Sequence, residues 1–282
     1  MLTLKAALEE AIASIGKVDA QAIITHSLGV DRAYLAANPM RMLTETEDAR
    51  VDMLVAQRSM GHPVAYLLGR REFYSRDFAV GPDVLIPRPE TETLVEAALA
   101  RLVTPAAAAA AMGRGPISAL DLGTGSGAIA VTLACERADL AVTATDRSEA
   151  ALVVARANAR AHGRDIEFLP GEWYAPLAGR RFDLIAANPP YVAAGDPHLG
   201  RGDLRFEPPQ ALTDGSGDGL ASIRAIVAGA PGHLNSGGWL LLEHGYDQAE
   251  AVRALLQAAG FRSLASIQDL AGIPRVAGGT IG

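Results

Sequence analysis

Ile117-Ser118-Ala119-Leu120-Asp121-Leu122-Gly123-Thr124-Gly125-Ser126-Gly127 runs from a short apolar segment into a turn with glycine at alternate positions, and an apolar stretch from Ala128 follows at once. Strand, glycine turn and helix in that order predict the opening unit of an α/β sheet. Gly123, Gly125 and Gly127 let the backbone approach a ligand closely, and the helix behind them supplies free N–H groups. The spacing is Gly-x-Gly-x-Gly, not the Gly-x-Gly-x-x-Gly of dinucleotide binders. With no pyrophosphate to cradle, the loop suits a ligand whose zwitterionic amino-acid end lies along the turn.

Beyond this unit, strands are expected at 117–122, 140–145, 166–169, 182–187, 238–243, 263–268 and 276–281. Helices are expected between most of them, at 128–137, 148–162, 219–234 and 247–259. Such alternation implies a mostly parallel, doubly wound sheet whose ligands gather at the carboxyl ends of the strands. Asp146 closes the second strand, nineteen residues after Gly127, where a carboxylate can accept hydrogen bonds from both hydroxyls of a ribose. After the third strand, Glu172 and Trp173 offer a carboxylate and an aromatic wall. After the fourth comes Asn188-Pro189-Pro190-Tyr191. Its prolines fix φ and remove two donors, leaving a rigid acceptor surface. The Asn188 amide oxygen and the flat face of Tyr191 can hold a planar, NH2-bearing group. All four loops open on one edge of the sheet and so ring one cleft.

Upstream, 2–75 reads as short helices. Leu4, Leu8, Ala11, Ile12 and Ile15 recur at helical spacing before Gly16, and Asp19 is expected to cap a second helix with Ala22, Ile23 and Leu28 on its apolar face, ended by Gly29. Thr44 and Glu47 have the capping-box spacing, ahead of Val51, Leu54 and Val55. Two short strands, 72–74 and 77–80, are expected to join through Ser75-Arg76, and Leu94 is taken to open the next helix, running to Leu102. The domain division that follows is 1–75 helical, 76–92 hairpin linker, and 93–282 sheet domain. The alanine-rich run at 104–115 reads as a surface connection or a helix extension.

The 282 residues carry a net charge of −7, and residues 1–80 hold nine Lys/Arg against ten Asp/Glu. Neither balance suits a grip on nucleic-acid phosphates. Cys135 is the single cysteine, so an intrachain disulfide or thiolate zinc cluster is excluded. The six histidines show no ligand spacing, and no metal is expected. The first residues lack a secretory pattern and no apolar run reaches about eighteen residues, so a soluble, cytoplasmic protein without membrane contact is expected.

Taken together, these motifs resemble the class I, S-adenosylmethionine-dependent methyltransferases, and among them the peptide-chain release factor glutamine methyltransferases. The resemblance also rests on Pro63-Val64-Ala65-Tyr66-Leu67-Leu68-Gly69, Ile86-Pro87-Arg88-Pro89-Glu90-Thr91-Glu92, Arg205-Phe206-Glu207-Pro208 and Leu241-Leu242-Glu243-His244-Gly245. It implies a Rossmann-like seven-stranded domain with a helical amino-terminal substrate-recognition bundle. It further implies S-adenosylmethionine as cofactor, S-adenosylhomocysteine as its product, and class I release factors as protein partners of a monomer. Carried over, the cofactor contacts fall on Gly123, Thr124, Gly125, Ser126, Gly127, Asp146, Trp173 and Asn188, and the substrate clamp on Asn188, Pro189, Pro190 and Tyr191. Asn188, Pro189 and Tyr191 are the implied catalytic positions, with no general base or covalent intermediate. Phe206 and Glu207 are expected to brace the loop beyond the clamp. The last eleven residues lack the aromatic ending of the family pattern, which puts the final strand in doubt. Two rival readings are an adenine-N6 nucleic-acid methyltransferase, which can use the same clamp on a flipped base, and a non-catalytic binding module.

Overall fold

The computed structural model describes residues 2–102 and 115–282; of the alanine-rich run, 104–114 lies outside them. Five helices come first: α1 (Leu4–Ile15), α2 (Lys17–Leu28), α3 (Arg32–Ala37), α4 (Glu45–Ser59) and α5 (Val64–Leu68). Leu4, Ala7 and Ala11 of α1 pack with Ala20 and Ile24 of α2 and Val51 of α4 in a core of their own. The capping box at Thr44 and Glu47 forms as its spacing requires. Asp19 caps nothing. Helix α2 begins directly after Gly16, whose φ of 82° lets the chain reverse, and Asp19 inside its first turn accepts from Arg58 Nε at 2.7 Å.

Strands β1 (Arg70–Phe73) and β2 (Arg76–Ala79) form the antiparallel hairpin. Its turn is Tyr74-Ser75 rather than Ser75-Arg76, with φ of 51° and 57° at two residues that seldom adopt positive values. Tyr74 N–H donates to Glu92 and Ser75 N–H to Glu72, which compensates part of that strain. Phe73 and Phe78 are buried in the same core as the sheet, so the hairpin packs on the larger unit. The next helix, α6 (Glu90–Arg101), starts four residues earlier than its apolar pattern suggests, behind Pro89 and with Glu90 and Glu92 in its first turn.

The main sheet contains β3 (Ser118–Leu122), β4 (Ala141–Asp146), β5 (Glu167–Pro170), β6 (Phe182–Ala187), β7 (Leu234–Glu243), β8 (Arg262–Gln268) and β9 (Pro274–Thr280) in the order β5-β4-β3-β6-β7-β9-β8. The five strands from β5 to β7 are parallel, whereas β9 runs antiparallel between β7 and β8. Connecting helices α7 (Ala128–Glu136), α8 (Glu149–Ala161), α9 (Ala221–His233) and α10 (Ala249–Ala258) accompany it, with one apolar core around α6 and α7 and a second around α9 and α10. Strand order reverses between β3 and β6, the switch point at which such sheets leave a crevice. Strand β7 begins at Leu234, earlier than expected, because Gly237 and Gly238 bulge out of register between the Leu234 and Trp239 pairings.

The final strand forms despite its glycines, and because of them. A Cβ on Gly278 would stand 2.1 Å from Leu240 O, and one on Gly279 2.8 Å from Leu264 Cδ2. Gly278→Ala is therefore expected to destabilise the protein by about 2 kcal/mol or more through overpacking against a fixed backbone, measured as a shift of the urea midpoint at unchanged slope.

Candidate active site

Loops at the carboxyl ends of β3, β4, β5 and β6 enclose a cleft of about 520 Å3. Gly123, Gly125, Asp146, Trp173, Asn188 and Pro190 line it; so do Asp83, Val84 and Leu85 from the segment before α6 and Asp214 from the facing wall. Thr124, Ser126 and Gly127 do not. Thr124 donates to Asp121 Oδ2 at 2.6 Å, Ser126 O accepts from Asn158 Nδ2 at 2.8 Å, and Gly127 caps α7 in the left-handed region. These three give the loop its shape. The buried Asn158 side chain also exchanges hydrogen bonds with both backbone groups of Ala79, fastening the hairpin to the glycine loop.

Asp146 receives Gly125 N–H on Oδ2 and Ser148 N–H on Oδ1, both at 2.8 Å. Ser148, not Asp146, is the cap of α8. The carboxylate is thus fixed from two sides with lone pairs left for hydroxyls in the cleft, and burial raises its pKa. Trp173 has a φ of 47° and packs on the second core while its indole lines the cleft, so its packing and site roles coincide. A Cβ on Gly123 would come within 3.3 Å of the Trp173 ring. Glycine therefore keeps the passage between loop and indole open.

The clamp is held from behind. Asn188 Nδ2 donates to Thr91 Oγ1 at 3.0 Å, Thr91 donates to Glu243 Oε2 at 2.7 Å, and Tyr191 OH donates to Glu243 Oε1 at 3.0 Å. Pro189 is buried and Tyr191 packs on the second core; neither is part of the cleft lining. Gln248 Nε2 donates to Tyr191 O at 2.9 Å. Beyond the clamp, buried Glu207 accepts from Ile86 N–H at 3.0 Å and from Arg88, while Phe206 lies 4.3 Å from the His62 ring. Both residues brace the loop as expected. Asp196 caps its own turn by accepting from His198 N–H at 2.8 Å.

Thr91 and Glu243 lie in two of the segments that carry the family resemblance, which implies no role for either. One signal for Glu243 lies in the sequence: it ends an apolar strand as Asp146 does, on the same sheet edge.

Comparison with known proteins places this geometry. Family models match at residues 3–69, a PrmC N-terminal domain, and at residues 111–200, a methyltransferase small domain. The release factor glutamine methyltransferase of Xylella fastidiosa (strain Temecula1) is 52% identical over 96% of this chain and 95% of its own length. The chain belongs to the release factor glutamine methyltransferase family. A Bordetella pertussis member is 50% identical over 93% of this chain and 94% of its own length. Among solved structures, a methyltransferase from Pyrococcus furiosus superposes with a TM-score of 0.52 at 19% identity, over 80% of this chain and 97% of that one. The hMettl16 catalytic domain reaches 0.57 at 14% identity, over 81% and 82%. Those two likenesses concern the fold alone. The chain is an enzyme of methyl transfer with a class I methyltransferase fold. Among its described residues no helix is long and apolar enough to cross a membrane.

Under the glycine loop, Asp121 is fully buried and its Oδ1 has no hydrogen-bond partner among the described residues. Burial pushes its pKa up to about 7, against the lowering effect of Thr124 and the Ala130 N–H. A raised folded-state pKa means that this group's contribution to stability is present below the unfolded carboxylate pKa and is lost as pH rises through about 7. Asp121→Asn is expected to flatten the fall of melting temperature across that interval, followed by calorimetry at a series of pH values.

Proposed function

We propose that the chain transfers a methyl group from S-adenosylmethionine to the side-chain amide nitrogen of a glutamine in class I peptide chain release factors. Family membership at half identity over nearly the full length supports this reading most directly. The cleft fits the cofactor. Its volume lies within the ordinary range for small-molecule sites, Asp146 stands at a strand end with free lone pairs, and Gly123 leaves open the space beside Trp173 that a Cβ would narrow.

In this reading Gly123 and Gly125 accommodate the amino-acid end, with Thr124, Ser126 and Gly127 setting the loop's curvature. Asp146 accepts from the ribose, and Trp173 walls the base. When bound, the cofactor supplies a methyl group made electrophilic by a sulfonium. The chain's own contribution is alignment. A glutamine nitrogen is a poor nucleophile, because its lone pair is delocalised into the carbonyl. Asn188 Oδ1 and the Pro189 carbonyl take its two N–H bonds and point the nitrogen at the methyl, while Pro190 bounds the amide plane and Tyr191, packed behind it on the second core, holds the motif in place. Alignment of this kind can supply roughly 7–11 kcal/mol in favourable cases. The proton leaves to water after transfer, so no side chain is assigned as general base.

Residues 1–75 are proposed to recognise the release factor, 76–92 to link, and 93–282 to carry the chemistry, in a monomeric, cytoplasmic protein that touches neither nucleic acid nor membrane. The acidic balance of the chain supports a protein substrate over a flipped base. Asn188→Ala is expected to lower kcat about a hundredfold while the Kd for the cofactor, measured by calorimetry, stays nearly constant. Mass spectrometry of the release factor should show one added methyl on one glutamine. Lost cofactor binding with an unchanged single-turnover rate would reverse the assignment of Asn188.

A further inference from the structure

An amide side chain can sit either way round, and only its partners decide whether oxygen or nitrogen faces a ligand. For Asn188 the deciding partner is Thr91. The Thr91 hydroxyl has one proton, and it goes to Glu243 Oε2 at 2.7 Å. What remains on Thr91 is a lone pair, which can only accept, and Asn188 Nδ2 donates to it at 3.0 Å. Nδ2 is thereby committed to Thr91, leaving Oδ1 as the acceptor available to the cleft that Asn188 lines. The direction of the whole chain of hydrogen bonds originates at the carboxylate, which also accepts Tyr191 OH at 3.0 Å.

We infer that Thr91 and Glu243 are positioning residues for methyl transfer: ionised Glu243 orients the Thr91 hydroxyl, and Thr91 orients the Asn188 amide with its oxygen toward the substrate nitrogen. This rests on the functional reading above and deepens it. The arrangement is an expensive one for a purely structural contact, since Glu243 is fully buried at the end of β7 and a buried charge is penalised. A neutral glutamine or an apolar side chain would fill the position at lower cost, but the two hydroxyls donate to different oxygens of Glu243; an apolar group accepts from neither, and a glutamine would turn an NH2 donor toward one of them.

The groups acting on Glu243 define its titration. Thr91 and Glu90 face it from α6, Tyr191 from the loop after β6, and Arg275 from β9, while Arg88 acts on Tyr191. Burial pushes the Glu243 pKa up to about 7, with the two hydroxyl donors and Arg275 opposing and Glu90 adding to the rise. Below that pH a proton on Oε2 turns the Thr91 hydroxyl toward Asn188. The amide then reverses and presents N–H to N–H. Methyl transfer should therefore fade on the acid side while cofactor affinity holds.

The test is single-turnover methylation of release factor by the full-length enzyme saturated with S-adenosylmethionine, from about pH 5.5 to 8.5, with cofactor Kd by calorimetry and folding by circular dichroism. Thr91→Val is expected to slow transfer at least roughly tenfold at unchanged cofactor Kd, and Thr91→Ser to restore most of the rate together with the acid limb. Glu243→Gln should be slow and should lose the acid limb. The inference is overturned if Thr91→Val matches the native rate, if Thr91→Ser is as slow as Thr91→Val, or if folded Glu243→Gln keeps the native pH profile. Should Glu243→Gln not fold, the two Thr91 variants decide alone. Failure of the native enzyme to methylate the release factor is a separate outcome, which rejects the functional reading itself.

Discussion

A carboxylate removed from water must have its lone pairs filled by donors, or the fold loses several kcal/mol or expels the charge. Among the described residues three carboxyl groups, Asp121, Glu207 and Glu243, are buried almost completely, and each draws its donors from elsewhere in the chain. Asp121 gathers Thr124 and the Ala130 N–H, which bends the glycine loop over the end of β3. Glu207 gathers Ile86 N–H and Arg88. Glu243 gathers Thr91 and Tyr191. The last two carboxylates therefore hold one continuous segment, Ile86 to Thr91, between the loop beyond the clamp and the end of β7.

That segment explains how the small helical unit is tied to the site of the sheet unit. Its upstream neighbours Asp83, Val84 and Leu85 line the cleft, and Tyr66 of α5 donates to Val84 O at 2.6 Å. On the other side Arg58 of α4 joins Asp19 of α2 to Asp203 at 2.7 and 2.9 Å, and Arg205 donates to Met60 O at 2.7 Å. Gly61 leaves room for that arginine, since a Cβ there would meet its guanidinium at 1.8 Å. The loop that follows Asn188-Pro189-Pro190-Tyr191 is thus anchored on the helices at one end and on the clamp at the other. Partly exposed ion pairs add little stability individually, so their consequence here is placement.

What could be read from the sequence was whatever depends on local periodicity and backbone rules. The parallel strands, the glycine loop, the capping box at Thr44 and the left-handed stop at Gly29 each follow from a few neighbouring residues. Four features escaped because a distant partner decides them. The hairpin turns at Tyr74-Ser75 against conformational preference, with Glu92 accepting the Tyr74 N–H. Helix α6 starts at Glu90, because Thr91 and its bond to Glu243 hold polar residues in a first turn that the apolar stripe does not reach. Strand β7 extends back to Leu234 through a glycine bulge. Asn188, Pro190 and the glycine loop were visible as site elements, whereas Thr91 lies almost a hundred residues before the clamp it orients, and no spacing rule connects the two.

The same logic accounts for the stiffness of the clamp. Where the chemistry offers little beyond alignment, a site must be ordered before its substrate arrives, with its residues locked by neighbours on rigid elements. Tyr191 is locked at both ends: its hydroxyl by Glu243, its carbonyl by Gln248, whose own oxygen accepts Gly245 N–H at 2.8 Å and whose nitrogen also reaches Asp218 O at 3.0 Å. Gly219 lies flush against that carbonyl, where any Cβ would stand 2.1 Å from it. Strand β6 therefore delivers the four residues, the first turn of α6 and the end of β7 fix their polar atoms, and the glycine at 219 admits the backbone on the remaining side. Two prolines within the motif remove the last freedom at its centre. A clamp so constrained has already lost the conformational entropy that a flexible loop would give up on each turnover, and in the proposed reaction that prior ordering is the form in which the fold would contribute.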